Sequence, residues 1–519
     1  MAGPSHKSLF NKFRDSYVIN KCEQYAKWTL PYLMADVSEV SGSGRVLVER
    51  DYQEMGALFT NNLATKMVRL LFPTQYPFFQ ASASRAFKEV AARKGIGEVE
   101  LRAMFARTEM AANKRLFLNS GYAALVLALK HLIVSGQVLL HRDSKKGTLT
   151  AYGLQSFVTR RDGTGELLDC ILREYTTCEA LPEDLRAALR VAAPAKYGRP
   201  EQVIEKYTRI HRESRNGVAG FAVSQEVDTI SVGAPSWYPV NLCPWMCPTW
   251  VIIPGEHYGR GMVEDYAGGF ARLSSLSEAS ALYAVEIMRV VHLVGAGSGG
   301  DIDDLAEAES GEWVRGDPNN IAAHEAGDAV KLERVAGEIE RTVVRLAKAF
   351  MYQAVTRQAE RVTAFELQKD AQEAETSLGG TYSTLSGGIQ VPMAHILMTE
   401  VDDTALAGII TGEVLPDVTA GIPALGRSSD VENLLMAGQE IAGIMPIASL
   451  DKRIDPAKVV DMILAGRSID PDTLFFTPEQ QRANQQASDA QQAAQAGLIQ
   501  ADTLAASSDQ INQTLTGAP

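Results

Sequence analysis

The sequence predicts a mainly helical α+β fold, on three observations. Apolar residues recur at helical spacing over residues 55–72 and again over 329–352. Between residues 137 and 232 the texture changes to short β-like runs punctuated by turn signals. Two long helical patterns then flank an acidic insert, as in a hairpin with a charged tip. With 519 residues, 46% apolar and 22% charged, the chain can bury a sizeable core. At roughly 150 residues per domain it holds about three compact units.

In chain order, residues 55–72 place Leu58, Leu63, Met67, Leu70 and Leu71 near helical spacing, and Pro73 ends the pattern. A second helix is expected over about 120–134. The runs VLLHR, LTAYGL, SFVTRRD, LLDCILREY and VIEKYTRIHRE read as antiparallel strands, with Asp162-Gly163 and Asn216-Gly217 as turns and a helix inserted at 181–191. Five prolines and three tryptophans between 235 and 254 mark a rigid, aromatic-packed connector. Residues 262–291 read as one helix weakened by Gly268-Gly269, at about 1 kcal/mol per glycine. Over 329–352, Val330, Leu332, Val335, Ile339, Val343, Leu346 and Phe350 trace one apolar stripe. Thr363-Ala-Phe-Glu366 is a capping box that starts another helix, with Val362 and Leu367 as its hydrophobic staple. The tail from about 479 is rich in Gln, Ala, Ser and Asn and lacks the apolar content to order itself.

Charge narrows the function classes. The net charge of −13 disfavours wrapping nucleic acid along the whole surface, because that needs Lys and Arg to replace counterions. It does not exclude a negative passage through which DNA slides without sticking. Residues 301–328 hold nine acids and one base, whereas 329–361 hold seven bases against four acids. Such an acidic block is not expected to be buried. Five cysteines are too few and too odd in number for a disulfide scaffold, which points to a reducing compartment. The most apolar stretch, 123–140, carries Lys130 and His131 and falls short of a membrane span, and the charged N-terminus does not read as a signal peptide. A soluble intracellular product is expected.

Several motifs invite chemistry. Gly295-Ala-Gly297-Ser-Gly-Gly300 matches the dinucleotide fingerprint formally, with 290–294 in the place of its strand and Asp317 about 20 residues on. Asp301, Asp303 and Asp304 would then repel the pyrophosphate they are meant to receive, and 262–291 reads as helix rather than strand. A glycine-rich turn is the better reading, with a nucleotide-binding enzyme as the competing class. Lys145-Lys146-Gly147-Thr148 has Walker-type residues in the wrong order, and Ser298 sits in a broken nucleophile elbow. Asp301, Asp303 and Asp304 lack the glycine and late glutamate of a calcium loop. Cys243 and Cys247, with Cys170 and Cys178, lack zinc spacing and read as buried thiols; His131, His211, His257, His292, His324 and His395 form no metal spacing. No cofactor is implied. Arg341, Arg345, Lys348, Arg357 and Arg361 could meet phosphates, or could form a solvated helix face helped by a Glu338–Arg341 pair.

An ordered set of segments completes the picture: Thr29-Leu-Pro-Tyr-Leu, Asn61-Asn-Leu-Ala-Thr-Lys-Met with Leu70-Leu-Phe-Pro, Tyr258-Gly-Arg260, Phe350-Met, Glu360-Arg-Val-Thr-Ala364, Thr376-Ser-Leu-Gly-Gly-Thr-Tyr-Ser383 and Gly426-Arg427. In this order, covering about residues 10–480, they resemble the portal (head-to-tail connector) proteins of short-tailed podovirus bacteriophages. The resemblance implies a non-enzymatic portal fold in a homo-dodecameric ring at one capsid vertex of the virion, assembled in the host cytoplasm. It implies double-stranded DNA in the channel, and terminase, tail or adaptor, scaffold, major capsid and internal core proteins as partners, with no membrane. By the same resemblance 1–255 would be wing, 256–292 first stem helix, 293–328 clip, 329–352 second stem helix, 353–361 tunnel loop, 362–400 a long wing helix and 401–480 crown. Arg345, Lys348, Arg357, Glu360 and Arg361 would then face the channel, and Asp301, Asp303, Asp304, Glu307 and Glu309 would dock terminase or tail. Another head–tail adaptor ring is a weaker alternative.

Overall fold

The computed structural model describes residues 4–35, 51–74, 77–95, 97–181, 183–192, 194–227, 230–287, 290–294, 321–325, 329–352, 380–401 and 414–418. All belong to the first of two compact units, 1–424; the second, 425–519, lies outside the described residues.

Side-chain caps start the first helices. The Ser5 hydroxyl accepts from the Ser8 amide before α1 (His6–Phe13), and Asp15 accepts from the Tyr17 and Val18 amides before α2 (Ser16–Trp28). α3 (Met55–Leu71) is the expected helix and buries Phe59, Leu63, Met67, Val68 and Leu71. Leu58, expected in that stripe, is exposed, because Phe59 one position on sets the inward face. After β1 (Phe79–Ala83), α4 (Arg85–Arg93) and α5 (Glu98–Phe117), Asn119 and Ser120 adopt left-handed φ and turn the chain into α6 (Gly121–Ser135). Residues 100–135 are long and apolar enough to cross a membrane by length and composition alone. In the fold, however, α6 packs Leu125, Leu129, Leu132 and Ile133 into the core beside α3.

The β-like runs form two antiparallel sheets. β2 (Leu139–Asp143), β3 (Thr148–Tyr152) and later β10 (Trp245–Met246) make one, in the order β10-β2-β3. β4 (Phe157–Arg161), β5 (Leu167–Thr177), β6 (Val203–Arg215), β7 (Val218–Val227) and β8 (Ile230–Ser231) make the other, with β9 (Ser236–Pro239) also on β7. Asn216 and Gly217, both with positive φ, close the two-residue β6–β7 hairpin. Phe10 and Leu9 of α1 pack on Val158, Ile171 and Tyr207, while α7 (Glu183–Ala192) packs Leu185 and Leu189 against Ile204 and Val227. The proline-rich connector therefore does more than link: it supplies the short strands β9 and β10, where missing amide donors are tolerated.

The helical hairpin departs from expectation in its first arm. A short helix, Met262–Asp265, stops at Tyr266, and α8 (Ala267–Ile287) begins before the two glycines rather than breaking at them. Gly269 allows close packing, since a Cβ there would lie 3.1 Å from Leu346 Cδ2. The chain then leaves the helix for β11 (Val290–Val294), paired antiparallel with β12 (Ile321–Glu325) in the register Val290↔Glu325 to Val294↔Ile321. Three valines in five residues favour an extended chain over continued helix. α9 (Ala329–Ala349) returns alongside α8, with Leu346 buried and Leu332, Val335, Ile339 and Val343 half-buried, whereas Val330 at its start is exposed.

Past residues 380–390, α10 (Val391–Val401) packs on α5, and β13 (Val414–Val418) pairs with β1. α10 carries Glu400 into a buried ion network. Arg142, fully buried on β2, donates to both carboxylate oxygens at 2.9 and 2.8 Å, and to the Gly147 carbonyl at 3.0 Å. Arg115 of α5 donates to the same carboxylate at 2.8 Å. Arg142→Ala is expected to cost about 3–5 kcal/mol, because it leaves the buried Glu400 carboxylate only Arg115 as an ion partner. Arg115→Ala, on a partly exposed side chain, should cost about 1 kcal/mol or less. Urea titration followed by circular dichroism checks that order; equal losses would remove the special role of Arg142.

Candidate nucleic-acid interface

The hairpin is rooted at both ends. At the first, Tyr258 donates its hydroxyl to the Phe13 carbonyl at 2.8 Å, and Arg260 pairs with Glu256 and Glu264 at 2.6 and 3.3 Å. Gly259 donates its amide to Gln137 Oε1 at 3.0 Å, and a Cβ on Gly259 would lie 2.5 Å from the Gly136 carbonyl oxygen. Only glycines allow that approach, and Gly136, at φ 76°, also ends α6 in the left-handed region. The amide of Gln137 in turn donates to Thr159 and to the Cys247 sulfur.

At the other end, the Phe350 ring packs on Phe59, Phe270 and Tyr266 with centroids 6.1, 5.6 and 5.8 Å away. Met351 takes φ 51° and turns the chain out of the helix. The freed carbonyl oxygens at this helix end find donors on α3. Asn62 Nδ2 reaches those of Phe350 and Met351 at 3.5 and 3.3 Å, and Lys66 Nζ reaches that of Met351 at 2.7 Å. A cation at a helix C-terminus also suits the helix dipole. Two segments far apart in sequence, 61–67 and 350–351, thus meet as one cap. Composition and periodicity did not single out Asn62 or Lys66; the ordered motif containing them was the available signal.

The outward face of α9 carries the expected bases. Arg345 and Lys348 are exposed, and Arg345 donates to the Thr342 hydroxyl at 3.4 Å. Arg341 pairs with Glu338 at 2.8 Å, and Arg272 of α8 reaches the other oxygen of that carboxylate at 2.5 Å. Arg341 is therefore partly neutralised, whereas Arg345 and Lys348 have no carboxylate partner among the described residues. Arg357, Glu360 and Arg361 lie outside the described residues, as do Asp301, Asp303, Asp304, Glu307 and Glu309, the Gly295–Gly300 loop with Ser298, and the Thr363–Glu366 capping box.

Other motifs resolve into structure. The strand before Gly295 pairs antiparallel with β12, not with the parallel neighbour of a βαβ nucleotide unit. Lys145-Lys146-Gly147 forms the β2–β3 turn, where Asp143 accepts the Lys145 and Lys146 amides. All five cysteines are free; Cys22, Cys170, Cys178 and Cys243 are buried and Cys247 half-buried. Burial pushes the Cys22 and Cys243 thiols up to about 12. At Cys247 burial acts the same way, but hydrogen bonding from Cys170 and the nearby Arg161 charge outweigh it and bring the thiol down to about 7. His131 and His395 are buried, and burial lowers both.

The family model described as bacteriophage head to tail connecting protein matches residues 6–474 of this chain. The portal protein of Pseudomonas phage phiKMV is 41% identical over 504 residues, covering 97% of this chain and 98% of that one. The portal protein of Enterobacteria phage SP6 is 32% identical over 426 residues, covering 82% and 80%. That of Escherichia phage T7 is 29% identical over 511 residues, covering 96% and 92%.

Phe350→Ala is expected to destabilise the hairpin root by about 3–5 kcal/mol. Lys66→Met keeps the apolar stem and removes only the ammonium donor, at about 1–2 kcal/mol. Hydrogen exchange over residues 345–352 should speed up in Lys66→Met while the α3 core stays protected; unchanged exchange would show that the cap does not hold the helix end.

Proposed function

Because this chain belongs to the family of bacteriophage head-to-tail connecting proteins, the portal proteins, we propose that it forms a dodecameric ring at one capsid vertex and conducts double-stranded DNA during packaging and ejection. The role is structural and non-enzymatic. The observation that carries the conduit reading is the hairpin α8–β11–β12–α9, rooted at both ends and turning a basic helix face outward. In the ring the two helices form the stem, and residues 353–361 the tunnel loop beyond the Phe350 cap. The first stem arm keeps the expected bounds 256–292, with the helix Ala267–Ile287 within it, and the clip is 293–328. The remaining parts keep their expected order, with 1–255 as wing, 362–400 as a long wing helix and 401–480 as crown.

Charge suits each task. The acidic block 301–328, with Asp301, Asp303, Asp304, Glu307 and Glu309, steers basic surfaces of terminase and then of tail proteins to the tip. A net charge of −13 repels phosphate over most of the surface, so DNA passes without being trapped. Arg345, Lys348, Arg357 and Arg361, with Glu360 among them, give local, readily released contacts. Scaffold, major capsid and internal core proteins complete the vertex in the host cytoplasm and the virion.

Mass photometry with negative-stain imaging of the purified protein tests the reading. The expected species is a ring with a central hole, twelve copies of the 56.3 kDa chain. Monomers or dimers at every concentration and salt level would overturn it.

A further inference from the structure

Five bases on α9 share one side of the helix. At about 100° per residue, Lys331, Arg334, Arg341, Arg345 and Lys348 fall within an arc of about 100°, and they span about 25 Å of axis. All five are exposed. The one acid on that arc, Glu338, is held by Arg272 and Arg341. Glu333 and Glu340 lie well round the helix, toward Val344. Among the described residues, Lys331, Arg334, Arg345 and Lys348 have no carboxylate partner. The buried side, with Leu346 and Phe350, is centred about a third of a turn away. α8 offers no counterpart: its one base is Arg272, already paired with Glu338.

We infer that this row is a phosphate track, along which successive phosphates of one DNA strand meet α9 from its clip end to its root. The inference rests on the conduit reading and adds Lys331 and Arg334 to it. A regular polyanion is the partner that fits a row of five cations, four of them without a carboxylate partner among the described residues. An acidic protein face would need carboxylates at matching helical spacing over about five turns, and α8 of a neighbouring copy supplies only Glu278 and Glu286. The track reads no sequence: long flexible cations on phosphate give position, not base identity. Because the remainder of the chain is net acidic, contact concentrates on bases such as these, and DNA is guided without being gripped.

The test uses assembled full-length rings and a fluorescent duplex of mixed sequence, with anisotropy measured across a salt series. Two paired variants, Lys331→Gln with Arg334→Gln and Arg345→Gln with Lys348→Gln, change only exposed side chains. Each cation withdrawn from a phosphate should reduce the slope of log affinity against log salt by about 0.9. The track predicts a smaller slope and weaker low-salt binding for both variants, with rings intact. An unchanged slope for the Lys331/Arg334 pair, with a reduced slope for the Arg345/Lys348 pair, removes the track and leaves the conduit. Loss of rings in the Lys331/Arg334 variant assigns those residues to contact between copies and overturns the proposal. Wild-type rings that bind no duplex at low salt overturn the track, whereas a protein that forms no rings sinks the conduit reading itself.

Discussion

The closure of the α9 C-terminus on α3 is the constraint on which the hairpin depends. Three aromatic rings enclose that of Phe350, and beyond it two side chains of α3 take up the carbonyl oxygens that the helix leaves unpaired. Toward the tip α9 becomes steadily more exposed, from buried Leu346 through half-buried Ile339 to exposed Val330. Burial therefore anchors only one end of the arm. A lever of this kind transmits position from the body outward. Met351 stores a little backbone strain to make the turn, and the neighbouring contacts hold it there.

The ion network around Glu400 does a different job. Replacing such a pair by well-packed apolar residues is often neutral or stabilising, so its presence is no measure of net stability. What it provides is geometry. A planar, bidentate guanidinium fixes α10 against β2 in one register, and Arg115 adds α5 to the same point. The aromatic cap at Phe350 and the buried ion pair at Glu400 are thus unrelated devices, one apolar and one ionic.

Much of this fold was legible in the sequence wherever the determinant is local. The α3 and α9 patterns, the Asn216-Gly217 hairpin and the helix near 183–192 follow from spacing and turn chemistry within a few residues. The end of the helix at Ile287, short of the apolar pattern over 262–291, has an equally local cause. Apolar residues continue past Ile287, and helical spacing cannot tell a helix that goes on from a β-branched run that leaves it. Leu58 faces outward because Phe59 is the larger group and claims the interior. Arg142 with Glu400, and Lys66 with Met351, are separated by hundreds of residues, and nothing in either neighbourhood names its partner. Of the candidate site, Arg345 and Lys348 were visible as bases on an amphipathic helix. That they stay unpaired while Arg341 does not depends on Glu338 and on Arg272 from the other arm.

Charge is segregated along this chain: acid over residues 301–328, unpaired base along one face of α9. The claim that joins fold to function is that this face looks into the channel while the Phe350 cap stays closed. An electron cryo-microscopy map of the assembled ring tests it directly. The predicted result is a ring in which the row from Lys331 to Lys348 faces the axial hole and Phe350 remains against Phe59. A ring with that row buried between neighbouring copies, or with α9 swung away from α3, would contradict it.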